Sequence, residues 1–245
     1  MARKAKKTIS NMLKDAKLAL TNSMSDPEIP GYVSLYGYDL TRLNEGMALY
    51  NAADRAVNAL AAAIGGQKQA TEELLKAQKK AILSYQDLSK IAKTLLKGDE
   101  GALSKLGLNR RMPRTTAGFT AAGNILFDNI QADPAIKAKL ATRGYTEEKS
   151  ASERANIVAF DQADTAQEAA KGANRNAAAE EAAALKKLND WMAEYRKIAK
   201  IALREKKNLL EKLGIPVRST RTAAQRNAGK KAAATRAMNK ANSAK

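Results

Sequence analysis

The chain has 245 residues, with 43 Lys or Arg against 25 Asp or Glu, and a formal net charge of +18. It contains no Cys and no His, which excludes disulfides, thiolate chemistry, histidine acid–base catalysis and most zinc or copper sites. Aromatic residues make up only 4% of the chain and alanine is abundant, as is typical of closely packed helices.

The chain aligns with itself over most of its length. Residues 22–117 and 129–224 are identical at 32 of 96 positions without a gap, whereas this composition gives about 8% identity by chance. The pattern predicts a tandem duplication. The predicted organisation is a basic N-terminal arm at 1–7, repeat units at 8–114 and 115–221, and a basic Ala/Lys/Arg-rich tail at 222–245.

Each repeat is predicted to hold a first helix, a long helical region and a short final turn of helix. The first helix is expected over about 8–23 or 116–131, because Asp-Pro follows and the residue before proline avoids the α region. A second helix is expected from Asp39–Thr41 to Gly65, or from Thr146 to Gly172, and a third from about Gln67 to Lys97, or Asn174 to Lys206. The polar sequences GGQKQ and GANRN favour a hairpin between these two helices, and one kinked rod is the alternative. The short turn ends at Leu-Gly, a C′ glycine signal.

Small residues recur every three or four positions along the second helix. They occupy positions 48, 52, 56, 59, 63, 66 and 70 in the first repeat, and 155, 159, 163, 166, 170, 173 and 177 in the second. This spacing places them on one helix face. We therefore expect an all-α fold in which the repeats pack as a pseudo-two-fold antiparallel bundle, seam against seam. The alternative is that alanine is there only as a good helix former.

Repeated carboxylates raise the question of a metal site. Asp54 and Asp161 occupy equivalent positions, as do Glu73 and Glu180. Di-metal helical bundles use Glu-x-x-His motifs, which this chain lacks, so a buried Asp paired with Lys or Arg is the expected role. No Walker loop and no nucleophile elbow is present. We expect no cofactor, no metal and no enzymatic activity.

The positive charge is concentrated at the two ends. Residues 1–17 carry a net charge of +5 and residues 216–245 a net charge of +8, which leaves +5 for the sequence between them. Arginines also follow the Leu-Gly turn of each repeat, where guanidinium groups suit phosphate, although cations near a helix C-terminus also offset its dipole. The predicted polyanion-binding residues are Arg3, Lys4, Lys6, Lys7, Arg110, Arg111, Arg114, Arg218, Arg221, Arg226, Lys230, Lys231, Arg236 and Lys240.

Two resemblances accompany these patterns. The stretches NILFDNIQADPAIKAKLATRGYTEEK and YRKIAKIALREKKNLLEKLGIPVRS resemble a group of bacterial helical-bundle proteins of unknown function, which implies a fold and no activity. The tail resembles linker-histone tails in composition only. We expect a cytoplasmic protein without a transmembrane segment, a homo-oligomer that binds nucleic acid or an acidic protein surface. The alternative is a structural subunit of a filament, shell or surface layer, whose tail docks on an acidic neighbour.

Overall fold

Eight α-helices occupy residues 8–217 of the computed structural model, which describes residues 8–217, 227–228 and 231–236. No strand occurs among these residues, so the predicted all-α class is confirmed. The helices are α1 (Ile9–Ser25), α2 (Ile29–Ser34), α3 (Leu40–Leu95), α4 (Glu100–Lys105), α5 (Thr116–Ala132), α6 (Pro134–Ala141), α7 (Glu147–Ala202) and α8 (Lys207–Lys212). Within the described part of the chain, no helix has the length and apolar character that a membrane span requires.

Helices α1 and α5 begin where threonine caps them. The hydroxyl of Thr8 accepts a hydrogen bond from the backbone N–H of Asn11 at 3.3 Å, and that of Thr115 from Gly118 at 3.2 Å. Each bond satisfies an N–H group that the first turn of a helix leaves unpaired. Both helices lie close to their predicted bounds.

Short helices α2 and α6 follow directly, and the sequence analysis did not predict them. Asp26 and Asp133 end the preceding helices, and each carboxylate then accepts two backbone N–H bonds from the next turn. Proline in the first turn, at Pro30 and Pro134, lacks the N–H that a helix start cannot satisfy. The Asp-Pro pair therefore stops one helix and starts another.

The predicted hairpin between a second and a third helix is wrong. Helices α3 and α7 are continuous over 56 residues each and pass through the glycines that were expected to form turns. Gly65, Gly66 and Gly172 do not have positive φ angles, so none adopts the left-handed conformation that would end a helix. A helical glycine costs about 1 kcal/mol relative to alanine, which neighbouring alanines and helix packing offset.

The buried face of the long helices does not coincide with the predicted seam of small residues. None of the fourteen seam positions is buried; all are half-buried or exposed. In α3 the buried positions include Leu43, Gly46, Tyr50 and Ala53, which recur with a spacing of three and four residues. The seam therefore lies beside the core stripe, and seam-against-seam packing is not found.

Two compact units divide the chain. The terminal unit comprises Met1–Ala52 with Lys186–Lys245, and the inner unit comprises Ala53–Leu185. Each compact unit takes helices from both predicted repeats, so these units do not coincide with the sequence repeats 8–114 and 115–221. The repeat boundaries therefore stay a prediction about sequence.

An aromatic cluster forms the core of the terminal unit. The Trp191 indole stacks on Tyr195 at 5.4 Å and meets Tyr38 edge-on at 5.5 Å. The indole lies against Gly46, where an added Cβ would be only 2.5 Å from the ring. The Ser23 hydroxyl is hydrogen-bonded to the Tyr195 hydroxyl. Burial of these large side chains stabilises the packing of α7 on α1 and α3.

A polar clasp joins α1 to α8 in the terminal unit. The ammonium of Lys212 pairs with the carboxylate of Asp26 at 2.7 Å, and the amide of Asn22 donates to the Lys212 carbonyl at 2.6 Å. The second bond satisfies one of the carbonyls that the end of α8 leaves unpaired. The hydrogen bond from Lys212 lowers the pKa of Asp26, with help from the backbone N–H of Glu28.

The inner unit has its own aromatic core. Phe119 of α5 contacts Tyr85 of α3 at 5.5 Å and Phe160 of α7 at 5.7 Å, edge-on in both cases. Gly123 of α5 lets Ile157 approach, since an added Cβ would lie 2.9 Å from that side chain. Nearby, the Tyr145 hydroxyl donates to Glu153 at 2.5 Å. Three helices therefore meet around one aromatic cluster.

A polar clasp of the same composition occurs in the inner unit. Lys105 pairs with Asp133 at 2.8 Å, and the amide of Asn129 donates to the Lys105 carbonyl at 2.6 Å. Farther along α3 and α7, the amide of Asn174 donates to the side-chain oxygen of Gln67. The last two residues are 107 positions apart in the sequence.

Candidate polyanion-binding site

The arginines of the first repeat lie on the connection between α4 and α5. Helix α4 ends at Gly107, which has a φ of +69°, and the N–H of Leu108 bonds the carbonyl of Leu103 at 2.9 Å. The N–H of Gly107 bonds the Ser104 carbonyl at 3.0 Å, which completes a Schellman motif. The predicted C′ glycine is confirmed, and the chain then enters the arginine-bearing connection.

All three arginines on this connection are exposed. Within the described residues, no ion pair or hydrogen bond involves the guanidinium of Arg110, Arg111 or Arg114. The last turn of α4 already carries Lys105, whereas Arg110 lies well beyond it. Because the dipole effect falls off within the last turn, dipole compensation does not account for these arginines. They remain available to an anion from solvent.

A cleft of about 320 Å³ lies between this connection and α5. Arg110 and Arg111 line it together, whereas Arg114 lines a separate cleft of about 220 Å³ beside Pro113. The structure therefore brings two of the three predicted arginines to one site. The small residues of α5 that form the cleft were not identified from sequence, although they follow each other at helical spacing.

A larger depression of about 490 Å³ lies elsewhere in the inner unit, and its charged groups are already paired. Arg154 bonds Asp128 at 2.7 Å, and Lys137 bonds Glu147 at 2.8 Å. The hydrogen bond from Lys137 lowers the pKa of Glu147. This depression offers no free cation comparable to Arg110 among the described residues.

Most of the other predicted basic residues lie outside the described residues. These are Arg3, Lys4, Lys6, Lys7, Arg218, Arg221, Arg226, Lys230 and Lys240. Lys231 and Arg236 are described, and both are exposed on the helical segment 231–236.

The repeated carboxylates do not have the expected buried role. Asp54 is half-buried and Asp161 is exposed, and within the described residues neither forms an ion pair. The interpretation of a buried Asp paired with Lys or Arg is therefore wrong. In the described part of the chain, no group of three or more Asp or Glu is placed to hold a metal ion.

No protein-family model, no curated protein and no solved structure matches this chain. The expected kinship with bacterial helical-bundle proteins therefore stays a prediction.

Proposed function

We propose that this protein is a non-enzymatic helical protein that binds nucleic acid, or a similar polyanion, without sequence specificity. The observation that carries the proposal is the presence of unpaired arginines beside a strong excess of positive charge at both ends. The segments 1–17 and 216–245 together carry +13 of the net +18. Cations of this density release counterions from phosphates, which supplies affinity without base readout.

The arginine connection supports the proposal by its geometry. Arg110, Arg111 and Arg114 lie close together in the chain and are exposed without a partner among the described residues. Their position between a glycine-capped helix and a threonine-capped helix fixes the backbone that carries them. Guanidinium groups held in this way bind phosphate with little loss of backbone entropy.

The proposal includes the tandem duplication and a pseudo-two-fold relation between its copies. Support comes from two pairs of helices of equal length, α1 with α5 and α3 with α7, that recur at the spacing of the sequence repeat. The clasp contacts of Asp26 and Asn22 have equivalents at Asp133 and Asn129. The bond between Gln67 and Asn174 joins equivalent positions, as expected for residues on a pseudo-two-fold axis. A duplication gives the chain a second arginine pair in the second repeat.

The test is a fluorescence-anisotropy titration with a random DNA duplex at about 50 mM and about 200 mM salt. The proteins are the full-length chain, a truncation that ends at residue 215, and the triple variant R110A/R111A/R114A. We expect affinity to fall by about 10³ or more over this salt range if six or more phosphates are contacted, and the truncation to lose most of it. The triple variant should have a shallower salt dependence, by about 0.9 per lost contact.

The matched control is R55A/R143A/R175A, which removes the same charge from three exposed arginines elsewhere on the inner unit. It should bind more tightly than R110A/R111A/R114A at both salt concentrations. Equal affinity of the two triple variants would reduce the arginine connection to general charge. No binding of the full-length protein at the lower salt would refute the proposal.

A second candidate, a subunit of a larger assembly, is favoured by one apolar patch on the terminal unit. Leu35, Tyr36 and Leu40 are 79%, 49% and 63% exposed where α2 leads into α3. Exposed apolar clusters of this kind mark protein–protein contacts. Light scattering after nuclease treatment separates the candidates, because an assembly subunit stays oligomeric without nucleic acid and dissociates in the variant L35S/L40S.

A further inference from the structure

The cleft beside the arginine connection has an apolar wall made by one face of α5. Gly118, Ala121, Ala122 and Ile125 line it, at the spacing of three and four residues that places side chains on a single helix face. The absence of larger side chains at the first three positions leaves the space open. Tyr85, which is only 5% exposed, lines the cleft from α3.

The backbone on both sides of the cleft is fixed. A Cβ at Gly118 would lie 2.9 Å from the Cβ of Pro113, so the missing side chain lets the connection lie directly on α5. Gly107 holds its left-handed conformation with Ile125 at 3.3 Å from its Cβ position. The opening is therefore formed before any ligand arrives, as in most small-molecule sites.

The charge of the lining is of one sign. Arg110 and Arg111 are the charged residues that line the cleft, and no carboxylate lies among its described lining residues. Polar groups sit at the same edge, where the amide of Asn109 donates to the Ser104 hydroxyl at 3.3 Å. An apolar wall next to two guanidinium groups suits a molecule with an apolar body and an anionic group.

We propose that this cleft binds a small molecule in which a ring-shaped apolar body carries one phosphate, carboxylate or sulfonate group. The anionic group contacts Arg110 and Arg111, and the ring lies against Ala121, Ala122 and Ile125. The volume of about 320 Å³ is close to the lower end of the range of about 300–1,000 Å³ for ligand pockets, so the ligand is compact. This proposal goes beyond polyanion binding, because the apolar wall has no use for a phosphate backbone.

The sequence limits the site to one per chain. At the equivalent positions of the first repeat, Gly118, Ala121 and Ala122 are replaced by Asn11, Lys14 and Asp15. Two of these three replacements are charged and all are larger, so the first repeat does not offer the same apolar wall. The expected stoichiometry is one ligand per chain.

The probe is anilinonaphthalene sulfonate, an aromatic anion whose fluorescence rises in an apolar site. We expect saturable binding of one probe per chain to the full-length protein and to the truncation that ends at residue 215. The variant Ala121→Phe should weaken binding at least about tenfold, because the exposed position 121 accepts a ring that occupies the cleft. R110A/R111A should weaken it by about ten- to a hundredfold, as expected for charge-assisted hydrogen bonds.

Matched controls are Ala138→Phe, which adds the same ring at an exposed position of α6, and R143A/R175A. Both should bind the probe as the original chain does, and circular dichroism melting should show all four variants folded. Phenyl phosphate and benzoate as competitors distinguish a phosphate from a carboxylate ligand, and inorganic phosphate alone should compete weakly. Probe binding unchanged in Ala121→Phe, or equally weakened in Ala138→Phe, would overturn the proposal.

The two proposals fail separately. Ala121→Phe should keep the duplex affinity of the original chain, whereas the truncation should lose duplex affinity and keep the probe. Loss of probe binding on truncation would assign the probe to the tail and refute the cleft as its site.

Discussion

A helix packs directly against an aromatic ring at Gly46 in the terminal unit, and Gly46→Ala tests this contact. An alanine Cβ there would lie 2.5, 2.6 and 2.7 Å from the Cη2, Cζ2 and Cζ3 atoms of Trp191. The indole is only 7% exposed and is held by Tyr38 and Tyr195, so it has little room to retreat.

The magnitude follows from two opposing effects of Gly46→Ala. Overpacking of a well-packed core costs about 1–3 kcal/mol. Alanine in a helix interior gains about 0.5–1 kcal/mol over glycine. Because a rigid ring opposes the new methyl group, we expect Gly46→Ala to lower the free energy of unfolding by about 1–2 kcal/mol.

Gly65→Ala is the matched control. Gly65 lies in the same helix without a positive φ, and a Cβ there would meet nothing within 4 Å. This variant should therefore be more stable than the original chain by about 0.5–1 kcal/mol. The opposite signs of the two substitutions isolate the contact with the ring from the helix propensity of alanine.

The assay is urea unfolding followed by Trp191 fluorescence and by circular dichroism. The chain has a single Trp, so its fluorescence reports on the terminal unit. In a double-mutant cycle with Trp191→Phe, Gly46→Ala should lose most of its cost. An equal cost in both backgrounds, or a stability gain from Gly46→Ala alone, would refute the packing argument.

Two further predictions concern pH. The hydrogen bond from Lys212 lowers the pKa of Asp26 below its ordinary value of 3.8, so its contribution to stability is present above pH 3.8 and is lost as the pH falls through the lower folded value. Asp26→Asn should therefore be less stable than the original chain at neutral pH, with a difference that disappears in strong acid; an equal deficit at all pH values would contradict this. Burial, with the hydrogen bond to Glu194, raises the pKa of Tyr38 from 10.0 to about 12. The neutral phenol therefore contributes stability below pH 10 that is lost as the pH rises toward 12, and chemical unfolding of Tyr38→Phe should show a smaller loss over this interval.

Local signals in the sequence were sufficient for the ends of several helices. Thr8 and Thr115 cap α1 and α5, and Gly107 ends α4, because these positions depend on bonds to backbone groups within a few residues. The exposure of the arginines on the following connection could also be predicted. Such features require no knowledge of distant parts of the chain.

Features that depend on tertiary packing could not be predicted in this way. Gly65-Gly66 has the composition of a turn, but the residues on either side continue a half-buried stripe that extends through Gln67, so the helix does not end there. Asp133 was identified as a helix stop and not also as a helix start. The cleft depends on Tyr85 and α5 coming together, a contact that no short stretch of sequence encodes.

The glycine beneath the indole also bears on how two copies within one chain can differ. In the other repeat, the positions equivalent to Gly46 and Trp191 are Glu153 and Ser84, where Glu153 accepts a bond from Tyr145 and Ser84 accepts one from Asn156. In a symmetric homodimer, every substitution appears at both sites at once, so a large ring and the gap that receives it cannot be confined to one of them. Fusion of the proposed copies removes that constraint. One copy can then be filled with aromatic rings at a place where the other keeps polar contacts and an open cleft nearby.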